Sequence, residues 1–254
     1  MGKLKDGLSQ LSKLMAQIDT QAEEVCGELQ RMSTSSQVAA GMVTEGYTAM
    51  YLYLFERFKK DGGKIADHNG DTVKQIADPT IVQFIKGIET QRPLAAKLLV
   101  QREEYIDKDV KSLLTNLLQA RANAATIAAM IAKKKKKWLQ SKKYKDKLKT
   151  YEAELDGMDT KAKDVYDDVV MTSTFAFPKA SEPVYREAIT AGTTVEQLAS
   201  RVTALKKMQR DNFDKGANAV SAGTRKIRKN NFAAEISAFK KWTAEADEME
   251  SEAD

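Results

Sequence analysis

The sequence has little of what usually punctuates or staples a fold. Only four of its 254 residues are proline, and they fall in two close pairs, Pro79 with Pro93 and Pro178 with Pro183. Residues 1–78, 94–177 and 184–254 contain none. Cys26 is the single cysteine, so no disulfide can form within one chain. His68 is the single histidine, and with Cys26 it cannot supply the roughly four ligands of a Cys/His zinc site. The most apolar run, Asn123–Ala132, is about half of the ~20 residues a membrane span needs. The first twenty residues lack the apolar core of a secretory leader. Gly2 is followed at position 6 by Asp6 rather than the hydroxyl of a myristoylation motif. A soluble, cytoplasmic protein, peripheral at most to a membrane, is the expectation. Disorder is not expected, because 42% of the residues are apolar and they recur with a period.

That period is helical. Leu4, Leu8, Leu11, Met15, Ile18, Ala22, Val25, Leu29 and Met32 alternate spacings of four and three, a heptad seam over four heptads. At MSTSSQ, Thr34 and Gln37 could form a capping box that starts a second helix; the alternative is one helix to about Lys60. Tyr47, Met50, Tyr51, Leu54, Phe55 and Phe58 continue an apolar stripe. Residues 61–72 hold three glycines and read as loop, and Asp78-Pro79 is a good helix start. From Leu94 to Asp156 there is neither Gly nor Pro. Ile106, Val110, Leu113, Leu117, Ala120, Ala124, Ile127 and Ile131 repeat the heptad, and Trp138, Leu148, Leu155, Ala162, Val165 and Val169 extend it. Lysine is a good helix former, so the spacing predicts one helix through Lys133–Lys137, about 90 Å over that run. Val195, Leu198, Val202 and Leu205 keep the spacing, and Phe232, Ile236, Phe239 and Trp242 make a final face. The best strand candidate, Phe175–Phe177, is weak.

The expected fold is all-α: a single elongated domain over 1–254. Three long antiparallel arms, about 3–60, 79–171 and 183–252, form a coiled-coil bundle kinked at Pro93. Loops fall at about 61–78 and 172–182, and an acidic tail at 243–254. A narrow seam buries little area per residue, so a homodimer is expected.

The net charge of +5 conceals a segregated distribution. Residues 133–149 hold ten lysines against Asp146 alone, whereas 150–168 hold seven acids against Lys161 and Lys163. RKIRK at 225–229 is a smaller basic patch, and 243–254 carry six acids and no base. Three readings compete. The lysines can be a solvated face paired with acids on a neighbouring helix. They can meet an anionic membrane at ~1 kcal/mol each, with Trp138 and Tyr144 at headgroup level. Nucleic acid ranks third, because the stretch has no arginine for base readout and no nucleic-acid motif is present. On the membrane reading, the anion-binding residues are Lys133, Lys134, Lys135, Lys136, Lys137, Trp138, Lys142, Lys143, Arg225, Lys226, Arg228 and Lys229.

No catalytic constellation emerges. His68 sits in a Gly-rich loop without partners for a triad, Cys26 has no local cation to activate it, and neither phosphate-binding glycine motif occurs. The chain is expected not to be an enzyme and to need no cofactor or metal. Three long helices with a proline kink opening the second resemble the architecture of BAR-type membrane-shaping domains. That resemblance implies a dimeric antiparallel coiled coil with a basic membrane-facing patch. A scaffold that self-associates and touches an anionic membrane is the leading expectation. A coiled-coil adaptor binding protein partners comes next. Third is an α-helical pore-forming or toxin-like protein using the alanine-rich segment 120–132.

Overall fold

In the computed structural model, the residues described are 3–60, 83, 86, 90, 93, 97, 100–141, 143–175, 203, 207 and 215–253, with side chains omitted at 36–60, 175, 252 and 253. Helix α1 covers Lys3–Lys60 without a break at Ser33–Ser36. Thr34 settles the choice between restart and continuity: its hydroxyl donates back to the carbonyl of Gln30, four residues earlier, rather than capping a new helix. A π-helical stretch, Ile106–Val110, leads into α2, Lys111–Trp138. Then follow α3 at Lys145–Phe175, α4 at Lys215–Lys229 and α5 at Ala233–Ala253. No strand occurs among the described residues, and Phe175 ends a helix rather than opening one. The all-α class therefore stands. The proposed loop 172–182 is helical to Phe175, and its remainder lies outside the described residues. So do the loop 61–78, His68, the Asp78-Pro79 start and residues 183–202; Pro93 itself is helical and exposed.

Two breaks in the expected arms correct the sequence reading. The helix does run through Lys133–Lys137, but it stops at Trp138 and restarts at Lys145. Nothing local forces this, since the turn holds neither Gly nor Pro. The amides of Gln140 and Ser141 fold back onto the carbonyls of Lys137 and Trp138, three residues away. The driving force is tertiary: Trp138 and Tyr144 flank the turn and both are almost fully buried. Burying two large aromatics so close in sequence outweighs the helix propensity of the residues between them. The second break, at 230–232, separates α4 from α5. There the Asn231 side chain accepts the amide of Ala233 and donates to the carbonyl of Arg228, as a helix cap does.

The chain divides into two compact units, Met1–Glu28, Ile106–Thr172 and Ala222–Asp254 in the first, and Leu29–Tyr105 with Ser173–Ser221 in the second. Leu29, Met32 and Val220 are the buried apolar residues described for the second. In the first, the predicted seam is the core. Leu4, Leu8, Leu11, Met15, Ile18 and Val25 of α1 are buried. So are Leu113, Leu117, Ala120, Ala124, Ile127 and Ile131 of α2, and Leu148, Leu155, Ala162, Val165 and Val169 of α3. Phe232 before α5 is buried as well, with Phe239, Trp242, Ala246 and Met249 within it.

Polar contacts give the order of pairing. Within the first unit Leu4 meets Glu250, Asp19 meets Phe232 and Glu23 meets Arg228, which ties α1 to the segment 228–250. Gln21 meets Asn116, and Gly7 lies against Ile127, which ties α1 to α2. Lys135 with Glu152 and Arg121 with Asp159 tie α2 to α3. Residues 243–253 are thus no free acidic tail but the second half of a packed helix.

Candidate functional site

The lysine-rich segment lies around the turn 139–144. Trp138 fixes it: the indole N–H donates to the carbonyl of Met249 at 2.8 Å, and the residue is 1% exposed. Trp138 and Tyr144 cannot sit at headgroup level, because both belong to the core. An amphipathic aromatic beside a charge run is equally suited to either place, and the tertiary fold takes it inward.

The lysines divide into two sets. Lys135 pairs with Glu152 at 2.7 Å, Lys147 with Glu245 at 2.7 Å, and Lys143 with Glu248. The Glu248 carboxylate, by accepting a hydrogen bond, raises the Lys143 ammonium above its usual range. Lys147 and the Tyr151 hydroxyl both donate to Glu245, which holds that carboxyl below its ordinary value. Burial first, and the Glu245 carboxylate next, raise the Tyr151 phenol. These acids come from α3 and α5, the two acidic regions that the sequence offers as partners. Lys134 and Lys137 are engaged as well. Lys142 lies outside the described residues. Lys133, Lys136, Lys145 and Lys149 are exposed and have no ionic partner among the described residues. Leu139, in the turn between the two lysine pairs, is 43% exposed.

The second basic patch is elsewhere and of another kind. Arg228 is half-buried, and its Nε donates to both oxygens of Glu23, at 3.0 and 2.9 Å. Lys226 stands 3.8 Å from Asp168, and Arg225 is engaged too. Lys229 is exposed. Since Lys143 lies beside Glu248 and Arg228 beside Glu23, about twenty helical residues, roughly 30 Å, separate the two patches along α4–α5. The fold therefore does not bring Arg225–Lys229 to the lysine turn.

Next to Arg228 is a polar cluster absent from the sequence reading. The Asp19 carboxylate accepts the backbone amide of Phe232 at 2.9 Å and so serves the start of α5 from another helix. Its burial raises the carboxyl above the usual range. Lys161 pairs with Glu235 at 2.5 Å and donates to the carbonyl of Asn231. Asn230-Asn231 was the available signal, a pair of cap-forming residues ahead of an apolar face. Cys26 is buried, and burial pushes its thiol up to about 11.

Among the described residues there is no cluster able to hold a metal ion and no helix long and apolar enough to cross a membrane. No family model, curated protein or solved structure matches the chain.

Proposed function

We propose that the chain is a non-enzymatic helical scaffold that contacts an anionic membrane surface through the turn 139–144. The observation that carries this is the set Lys133, Lys136, Lys145 and Lys149, exposed and without an ionic partner among the described residues, on either side of the turn that holds the exposed Leu139. Four exposed cations that no acid among the described residues neutralises, with an exposed leucine in the turn between them, match a surface of anionic headgroups. In this reading Lys135, Lys143 and Lys147 hold the turn in shape, Trp138 anchors it from inside, and Arg225–Lys229 take no part. The proposed scaffold is an antiparallel coiled-coil protein that self-associates as a homodimer, as in the BAR-type architecture it resembles. The location is then cytoplasmic and peripheral to a membrane.

The test is co-sedimentation with vesicles of phosphatidylserine and phosphatidylcholine at low salt. Replacing Lys133, Lys136, Lys145 and Lys149 by Glu weakens binding at least ~100-fold, at ~1 kcal/mol for each lysine lost and with added repulsion. Binding falls with salt. Unchanged binding, or none by the native chain, sinks the proposal. Small-angle scattering tests the elongated dimer.

A second reading, an adaptor for protein partners, draws support from the three ion pairs that already neutralise part of the lysine run. The toxin-like reading has less behind it. Ala120, Ala124, Ile127 and Ile131 are core residues, so presenting them to a membrane requires the first unit to open.

A further inference from the structure

Helices α1 and α5 leave a trough where both carry small side chains. Ser9, Ser12 and Ala16 of α1 face Thr243 and Ala244 of α5 across a groove of about 510 Å³. That volume is within the ~300–1,000 Å³ range of small-molecule sites. Its apolar lining is Ala16, Ile236 and Ala244, and its cations are Lys5, Lys13 and Lys240. Lys5 is engaged by Asp247. Lys13 and Lys240 are exposed and have no ionic partner among the described residues. Ser12 is the unusual member. It is 7% exposed, and its hydroxyl is buried at the groove with no hydrogen-bond partner among the described residues. Buried hydroxyls normally have one. The threonine of the groove is satisfied, since Thr243 donates to the carbonyl of Phe239 at 2.7 Å.

We propose that this groove binds a single-chain anionic amphiphile, with a carboxylate or phosphate monoester as headgroup. The headgroup lies between Lys13 and Lys240 and accepts the Ser12 hydroxyl. The alkyl chain covers Ala16, Ile236 and Ala244. A simple inorganic anion would use the cations and leave the apolar lining wet. A neutral alkyl chain would leave both lysines unused. Only a ligand with both parts complements the whole groove. The site shares no residue with the lysine turn and does not depend on that reading.

Calorimetric titration of the full chain with dodecanoate, and separately with dodecyl phosphate, each below its micelle concentration, tests this. One site per chain is expected for at least one of them, and the better ligand identifies the headgroup. Lys13→Glu with Lys240→Glu lowers affinity at least ~10-fold, and Ser12→Ala by about 10-fold, the scale of a hydrogen bond to a charged group. Ala244→Trp, at an exposed position, fills the groove and abolishes binding. Lys133→Glu with Lys136→Glu leaves the affinity unchanged, which separates this site from the turn. Absence of saturable binding by either ligand overturns the proposal. So does equal affinity for dodecanol, effective competition by inorganic phosphate, or indifference to the Lys13 and Lys240 replacements. Those two lysines are solvent-exposed, so their variants fold even if Ala244→Trp does not.

Discussion

At Gly223 the α4 backbone passes close against Thr172 of α3. A methyl placed on it would overlap Thr172 Oγ1 and stand 3.0 Å from both the Cβ and the Cγ2 of that residue. Thr172 has no easy way to yield. It is β-branched, it is buried, and its hydroxyl is held by the carbonyl of Asp168 at 2.6 Å. Taken as a helix residue alone, Gly223→Ala should stabilise by about 1 kcal/mol. Overpacking costs about 1–3 kcal/mol, and a pinned, branched neighbour argues for the upper end. The net expectation is a loss of about 2 kcal/mol, or about 4–8 °C in melting temperature for a chain of this size. Gly27 and Gly157 supply the contrast. Both are exposed helical positions with nothing within 4 Å of an added Cβ, so Gly27→Ala and Gly157→Ala should each gain up to ~1 kcal/mol. Urea titration followed by circular dichroism reads all three. Thr172→Ala removes Oγ1 and Cγ2, so the double variant with Gly223→Ala should be at least ~1 kcal/mol more stable than the two single effects added. If Gly223→Ala stabilises as the controls do, or if the cycle shows no coupling, the close approach is not what places glycine there.

Three further expectations concern named groups. Cys26, buried with its thiol raised to about 11, should resist a disulfide reagent at neutral pH in the native chain and react fully in denaturant; fast native labelling contradicts its burial. Glu245 is held below the normal carboxylate range by Lys147 and Tyr151, so its contribution to stability is present above the unfolded value of about 4.3 and lost as pH falls through the lower folded one. Glu245→Gln should therefore melt below the native chain at pH 7 and converge with it in strong acid; a gap independent of pH refutes this. Trp138→Phe shrinks the buried ring system and loses the indole N–H bond to the Met249 carbonyl, and should cost about 1–3 kcal/mol in thermal denaturation with vesicle affinity unchanged. A loss of vesicle binding with intact stability would put Trp138 at the surface instead.

Much of the core was legible because a helix seam is a one-dimensional pattern. From Leu4 to Met32 nearly every a/d residue is buried, and the same holds from Val110 to Ile131. The two charge classes were legible as well: an excess of lysine over 133–149, and acids at 150–168 and 243–254 to meet it. Which lysine meets which acid was not, since Lys143 and Glu248 lie over a hundred residues apart. Local propensity also misled. Lys133–Tyr144 carries no helix breaker, yet the chain turns there, because the gain from burying Trp138 and Tyr144 is tertiary and outweighs what each residue prefers alone.

The amino-acid sequence by itself determined that this protein is helical, which faces turn inward and where charge accumulates, because each follows from residue type and spacing within one stretch. Only the tertiary structure decided where the long arms break, that Trp138 is core rather than surface, and that Arg228 is spoken for while Lys133 and Lys136 are not. It also decided that Ser12 lines a groove with an unmatched hydroxyl. Each of these depends on what stands opposite a residue across a helix interface. That is a matter of which remote segments the buried seams bring side by side, and no local period encodes it.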